Sequence, residues 1–382
     1  MKASISLKSL ALYINHGPCD YLYVKALYNA RSNEDGIDSV NHRIFMLEAS
    51  IAILIGFVGL IWSADQFVAG AAAIAKNLGM APIMIGLTIV AFGTSAPEII
   101  VAISASLKQA GSLAVGNAIG SNLANIGMVL GITALIAPIP IANNILKREM
   151  PLLLIATLGA SYCLYDSHLD WVDGVILLLA LAVIFFILVT SKSHQPDAEH
   201  EADVEHIPTM TSNKAWLLFA IGFVLLIGSS QLLVWGAKIV AVELGVSDLI
   251  IGLTVVAVGT SLPELAATIA SALKGHHDIA IGNIVGSNLF NLLAVMAMPA
   301  LIGSVDLTPE VFNRDYVAMT GITLLLAVIL YGHFMWGKIN QKKAVNPGQL
   351  AAIPHQSLGR IAGVALLISY IAYYYWLFPM NG

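Results

Sequence analysis

The sequence predicts an all-α integral membrane protein: ten transmembrane helices laid out as two inverted five-helix repeats, with helices broken at the midplane. Three observations carry this. Of 382 residues, 58% are apolar and only 11% charged, whereas soluble domains carry about a quarter charged residues. Apolar runs recur that reach the roughly 20 residues a helix needs to cross a bilayer core about 30 Å thick. A polar thirteen-residue segment also occurs twice, at a fixed offset, inside such runs.

Runs bounded by charge, Pro and Gly occupy positions 47–75, 82–107, 113–137, 150–165, 172–190, 215–241, 248–273, 278–303, 316–335 and 359–379. The fourth is short and begins at Pro151. Ahead of them, residues 1–45 hold Lys2, Lys8, Lys25, Arg31 and Arg43 but no apolar stretch able to span, and are read as an N-terminal extension outside the fold. The domains are therefore 46–190 for the first repeat, 191–213 for a polar acidic linker, and 214–382 for the second repeat. The linker holds His194, His200 and His206 with Glu201 and Glu205. It is read as a solvated loop, since HEADVEH lacks the H-E-x-x-H spacing that puts two histidines on one helical face.

Lys and Arg set orientation. With odd-numbered connections on one side, that side holds ten basic residues, against Lys108, Lys238 and Arg314 on the other once the extension is set aside. The linker is therefore expected in the cytoplasm, in a multi-pass protein of a bacterial inner (plasma) membrane. A net charge of -5 with no basic patch gives no sign of nucleic acid. Cys19 and Cys163 form no disulfide framework, and oligomeric state is not legible.

The duplication is specific. Gly86 to Glu98 reads GLTIVAFGTSAPE and Gly252 to Glu264 reads GLTVVAVGTSLPE, identical at ten of thirteen positions, with an offset of 166. At the same offset, Gly116 to Asn125 (GNAIGSNLAN) matches Gly282 to Asn291 (GNIVGSNLFN). Five spans per copy make the second copy enter from the opposite side, so the repeats are inverted. That is an architecture of secondary transporters, whose ion sites lie near the midplane on discontinuous helices. Gly93, Pro97, Gly259 and Pro263 are the expected points of interruption, because proline removes a backbone donor and clashes with the preceding turn.

Glu98 and Glu264 lie inside apolar runs, where an acid costs about 2.5 to 3.5 kcal/mol on insertion scales. Two converging carboxylates repel unless cations or protons neutralise them. No Lys or Arg is expected at comparable depth. Around them the motif is rich in oxygen and free of sulfur: Thr94, Ser95, Thr260, Ser261, Ser121, Asn122, Asn125, Ser287, Asn288 and Asn291. Such donors suit hard cations, calcium above all. Gly116, Gly120, Gly282 and Gly286 are read as packing residues. Asp65 has Gln231 as its counterpart and stands outside the symmetric pair.

With these motifs, duplicated and in order, the sequence resembles the sodium/calcium exchanger family of the cation/calcium antiporter superfamily, in its bacterial and archaeal type. The family carries two repeats, each with a G-T/S-S-x-P-E/D element followed by a G-N-x-x-G-S-N element. The resemblance implies a non-enzymatic antiporter working by alternating access, with calcium and sodium ions as cargo, the lipid bilayer as its surroundings and no cofactor. It implies Glu98 and Glu264 as principal calcium ligands, joined by backbone oxygens of Thr94 and Thr260. Ser95, Ser261, Ser121, Ser287, Asn125 and Asn291 would line the same centre and help form sodium sites. Some members place an aspartate at one of the positions held here by Asn125 and Asn291, so this site offers two strong acids and not three. Proton-coupled calcium (cation/H+) antiport is the alternative. An intramembrane enzyme lacks a catalytic constellation here, and a channel fits broken, oppositely inserted helices less well.

Overall fold

A computed structural model of the chain describes residues 38–80, 82–141, 145–190, 210–244, 257–343 and 357–377. The chain is mostly helical. In order, the elements are α1 (Asp38–Leu78), α2 (Pro82–Ile85), α3 (Ala91–Thr94), α4 (Ala96–Leu107), α5 (Gly111–Ala124), α6 (Gly131–Ile136), β1 (Ile139–Pro140), α7 (Met150–Leu164), β2 (His168–Leu169) and α8 (Trp171–Thr190). Then come α9 (Ser212–Glu243), α10 (Ala257–Thr260), α11 (Leu262–Leu273), α12 (His277–Phe290), α13 (Ala297–Ile302), β3 (Val305–Asp306), α14 (Val317–Lys343), β4 (Ser357–Leu358) and α15 (Arg360–Leu377). Among the described residues, five π-helical turns interrupt or open these helices, at Gly86–Val90, Asn125–Leu130, Ile145–Glu149, Asn291–Val295 and Val311–Tyr316.

Among the described residues, seven helices are long and apolar enough to cross a membrane, and the pair Ile83–Thr94 and Ala96–Leu107, bent by 42°, makes an eighth. Two expected spans fall short for different reasons. The fourth helix starts before Pro151, with π-helical Ile145–Glu149 leading into α7, so its first turns carry Lys147, Arg148 and Glu149. Pro151 thus lies inside a continuous helix, two residues after the π-helical turn ends at Glu149. Of the seventh run, residues 248–256 lie outside the described residues; the rest is α10 and α11. The polar linker is outside them too, as is the N-terminal extension up to residue 37, while Asp38 to Phe45 form the first turns of α1.

The partition of residues is that of a chain solvated by lipid. Leu54, Ile155, Phe186, Ile368 and Ile371 are each more than half exposed, while Thr94, Ser95, Glu98, Asn125, Ser261, Glu264, Ser287 and Asn291 are buried. With no water in the hydrocarbon, polar groups turn inward. Lys238, counted above with the poorer side though it falls inside the 215–241 run, lies within α9 and is buried as well. The basic residues on the poorer side are then Lys108 and Arg314, which leaves the sense of the asymmetry unchanged.

Two compact units divide the chain, residues 1–60 with 228–259 and residues 61–227 with 260–382. In the first, small residues bring α1 and α9 together: a Cβ on Gly56 would lie 2.7 Å from the Leu233 nitrogen, and one on Gly236 would lie 2.6 Å from the Ala49 oxygen. In the second, Phe67 and Phe219 stack with ring centroids 4.8 Å apart.

Within the second unit the two copies exchange contacts reciprocally. β1, after the third helix of the first copy, pairs antiparallel with β4, before the last helix of the second. β3, at the equivalent place in the second copy, pairs antiparallel with β2, before the last helix of the first. The helices follow the strands: α15 packs on α6, and α8 packs on α13.

Candidate ion-binding centre

Both glutamate segments are broken two residues after the expected glycine, and two before the expected proline. The break falls at Ser95 (φ -84°, ψ 2°) and at Ser261 (φ -87°, ψ 4°), each between two helical pieces. Pro97 and Pro263 stand in the first turn of the helix that follows, so proline starts the second piece rather than kinking the first. Glu98 and Glu264 occupy those same first turns, where the unpaired N–H groups and the helix dipole favour negative charge. The break therefore gives each buried acid a favourable electrostatic position as well as aiming it.

The two acids meet between the copies. Glu98 and Glu264 are fully buried and close enough for their charges to repel. Ser95 Oγ donates to Glu264 Oε1 at 3.2 Å. Thr260 and Ser121 lie beside the Glu98 carboxylate, whose two oxygens are buried and make no hydrogen bond of ordinary geometry. Thr94 Oγ1 donates to Asn283 Oδ1 at 3.0 Å and lies 3.3 Å from Ser287 Oγ. Asn122 Nδ2 donates to the Asn288 carbonyl at 3.2 Å, also between copies.

Asn125 and Asn291 each open a π-helical turn, a device common at functional sites because it shifts the backbone register by one residue. Their side-chain oxygens and nitrogens are buried and unpartnered, as are Ser261 Oγ, Glu264 Oε2 and the amides' neighbours Asn122 Oδ1 and Asn288 Oδ1. Leaving a buried polar group unbonded costs about 1 to 3 kcal/mol, more when it is charged. Such groups are rare in folded proteins, so their concentration here marks a place built to be filled by something polar. Among the described residues no three of His, Cys, Asp and Glu converge, so the donor set is two carboxylates with hydroxyls and amides, suited to a hard cation that must also leave.

Of the ten expected residues, Glu98, Ser95, Ser121, Thr260 and Glu264 are linked through the contacts above and Thr94 is linked to Ser287, while Ser261, Asn125 and Asn291 are buried and no side-chain hydrogen bond joins them to the rest. Asn283 and Thr268 were not anticipated: Asn283 Nδ2 donates to Thr268 Oγ1 at 2.9 Å, and both are buried. Asn283 was visible as the repeated asparagine of GNIVGSN. Thr268 gave no signal, because its counterpart is Ala102. Gly282 and Gly286 do pack closely, since a Cβ would lie 2.8 Å from the Ile83 oxygen and 2.5 Å from the Leu87 oxygen respectively. Gly116 and Gly120 meet nothing within 4 Å, and the segment equivalent to Ile83–Leu87 in the second copy lies outside the described residues. Asp65 has a partner that the sequence did not suggest, Lys274, with Nζ at 2.7 Å from Oδ1.

A lipid-solvated helical chain with a buried, acid-bearing polar centre between duplicated halves defines a multi-pass membrane transporter of cations. The family model for "Sodium/calcium exchanger protein" matches residues 49–190 and 214–378, and the chain belongs to this family of antiporters. It is 41% identical over 338 residues to the Alkalimonas amylolytica protein named "Putative antiporter CaxA", covering 87% of this chain and 99% of that one. It is 30% identical over 316 residues to sodium/calcium exchanger MaX1 of Methanosarcina acetivorans, covering 73% of this chain and 90% of that one. A solved structure of the sodium-calcium exchanger NCX_Mj superimposes with a TM-score of 0.69 at 28% identity, covering 86% of this chain and 97% of that chain.

Proposed function

We propose that this protein exchanges sodium for calcium across the membrane by alternating access, with the ions held at the interface of two inverted five-span repeats. The observation that carries the reading is the convergence of Glu98 and Glu264, one from each copy, among buried oxygens that lack partners. In this reading Glu98 and Glu264 are the principal calcium ligands, joined by backbone oxygens of Thr94 and Thr260. Ser95, Ser261, Ser121, Ser287, Asn125 and Asn291 line the centre and contribute to the sodium sites. Two carboxylates balance one calcium ion, and three sodium ions in its place leave one excess positive charge.

The ten-span layout draws support from the strand pairs. With ten spans, β1 and β4 both fall in odd-numbered connections and β2 and β3 both fall in even-numbered ones, as pairing on one side of a membrane requires. The split of the family match at residues 191–213 accords with halves at 46–190 and 214–382 joined by a cytoplasmic linker in a bacterial inner membrane. Reporter fusions at Pro196 and at the C-terminus should then give opposite signals; like signals would remove the ten-span layout.

Calcium uptake into vesicles, with sodium and pH gradients imposed separately, tests the function. Sodium-driven uptake that responds to membrane potential is expected. Uptake that follows the pH gradient while ignoring sodium and voltage would select proton-coupled calcium antiport, in which two protons replace one calcium.

A further inference from the structure

The hydrogen bonds around Glu264 form a ring. Glu264 and Thr268 lie one turn apart on α11 and so share a face. Thr268 Oγ1 accepts from Asn283 Nδ2, Asn283 Oδ1 accepts from Thr94 Oγ1, and the next residue, Ser95, donates back to Glu264 Oε1. Asn283, Ser287 and Asn291 stand at successive turns of the α12 face and its π-helical extension, so the ring ties that face to the broken end of the first copy.

The equivalent path around Glu98 is open. Asn117 Nδ2 is buried without a partner, as are Ser261 Oγ and both oxygens of Glu98. One cause is chemical. The position that corresponds to Thr268 is Ala102, fully buried and unable to accept. An asparagine amide turns to suit its hydrogen bonds, and the bond to Thr268 leaves Asn283 Oδ1 facing Thr94.

We infer that Thr268 is a positioning residue for ion binding: by fixing the Asn283 amide it holds Thr94 and Ser95 against Glu264, and so preorganises the Glu264 half of the centre. This rests on the ion-binding reading given above. Thr268 touches no ion itself. Preorganised ligands bind more tightly because ordering is not left to the binding step.

The test is calcium–calcium exchange in proteoliposomes, normalised to inserted protein, for Thr268→Val, Thr268→Ser and Glu264→Gln. Thr268→Val keeps the shape and removes the acceptor. It should raise the half-saturating calcium concentration about fivefold, the usual worth of one buried hydrogen bond, with maximal rate within about twofold of wild type. Thr268→Ser, which keeps the hydroxyl, should restore the wild-type half-saturation. An unchanged half-saturation in Thr268→Val, even with less inserted protein, overturns the inference. So does a Thr268→Ser defect equal to that of valine, because packing of the methyl group would then account for both. Glu264→Gln separates the two levels of the argument: full exchange there removes the ion site itself, whereas its loss beside a normal Thr268→Val removes only the ring.

Discussion

Glu98 and Glu264 sit in nearly identical sequence, yet their surroundings differ bond by bond. Ser95 bonds Glu264, while Ser261 leaves Glu98 alone. Gly282 and Gly286 press against α2 and the π turn that follows it. Lys274, which caps the helix that starts with Glu264, pairs with Asp65. Its counterpart Lys108 has no acidic partner among the described residues, and Asp65 is matched by the uncharged Gln231. Some of these differences are written in the sequence, at Thr268 and Asp65. Others separate identical residues and so belong to conformation.

The largest expected effect asks whether the two acids are equivalent despite this. Glu98→Gln and Glu264→Gln each remove one negative charge from beside a divalent ion. At 4 Å and an effective dielectric near 20 that charge is worth about 4 kcal/mol before desolvation and relaxation reduce it, and half of this already exceeds a tenfold loss of affinity. Both should abolish calcium transport, including calcium–calcium exchange, with similar severity. Near-normal exchange by either variant, correctly inserted, would make that half of the centre dispensable.

The glycines come next. Gly286→Ala would place a Cβ 2.5 Å from the Leu87 oxygen and 2.6 Å from the Ala91 Cβ, an overpacking of about 1 to 3 kcal/mol. It should lower the thermal midpoint in detergent by several degrees; an unchanged midpoint would mean that the two segments do not press together there.

Smaller effects are expected away from the centre. The Asp65–Lys274 pair is partly exposed, with side chains half and about a quarter accessible, and such pairs contribute roughly 0 to 1 kcal/mol. Asp65→Asn should retain measurable exchange and shift the thermal midpoint slightly; loss of exchange would give the pair a part in transport. The clasps differ too. Ile139 and Leu358 pair through buried apolar residues, whereas His168 and Asp306 form an exposed ion pair at 2.7 Å. The hydrogen bond to Asp306 raises the His168 pKa above its ordinary value. A raised histidine stabilises the fold below its unfolded pKa, about 6.5, and that contribution disappears as pH rises through the folded value. Asp306→Asn should therefore lower the thermal midpoint slightly at pH 5.5 and leave it unchanged at pH 8.5. Equal shifts at both would mean that the ion pair is not the cause.

The duplicated motif made much of this centre legible, because Gly, Thr, Ser, Pro, Glu and Asn repeated at one offset leave few folds that bring them together. The breaks lay within two residues of their expected places, since proline and glycine act locally. What was hidden depends on contacts far apart in the chain. Lys274 reaches Asp65 across 209 positions, and the two-residue clasps are too short to leave a pattern. The π turns at Asn125 and Asn291 carry no compositional mark. The start of the fourth helix was hidden by its own charges, which Arg148 accommodates by donating to the carbonyls of Ile187 and Leu188 at the end of α8.

The central claim is that Glu98 and Glu264 hold one exchangeable cation between them. Equilibrium binding of radioactive calcium to the purified protein in detergent tests it without any gradient or turnover. The expected result is one calcium per chain in the wild type, displaced by sodium, and none in Glu98→Gln or Glu264→Gln at the same free concentration. One calcium per chain retained at wild-type affinity in either variant would contradict it.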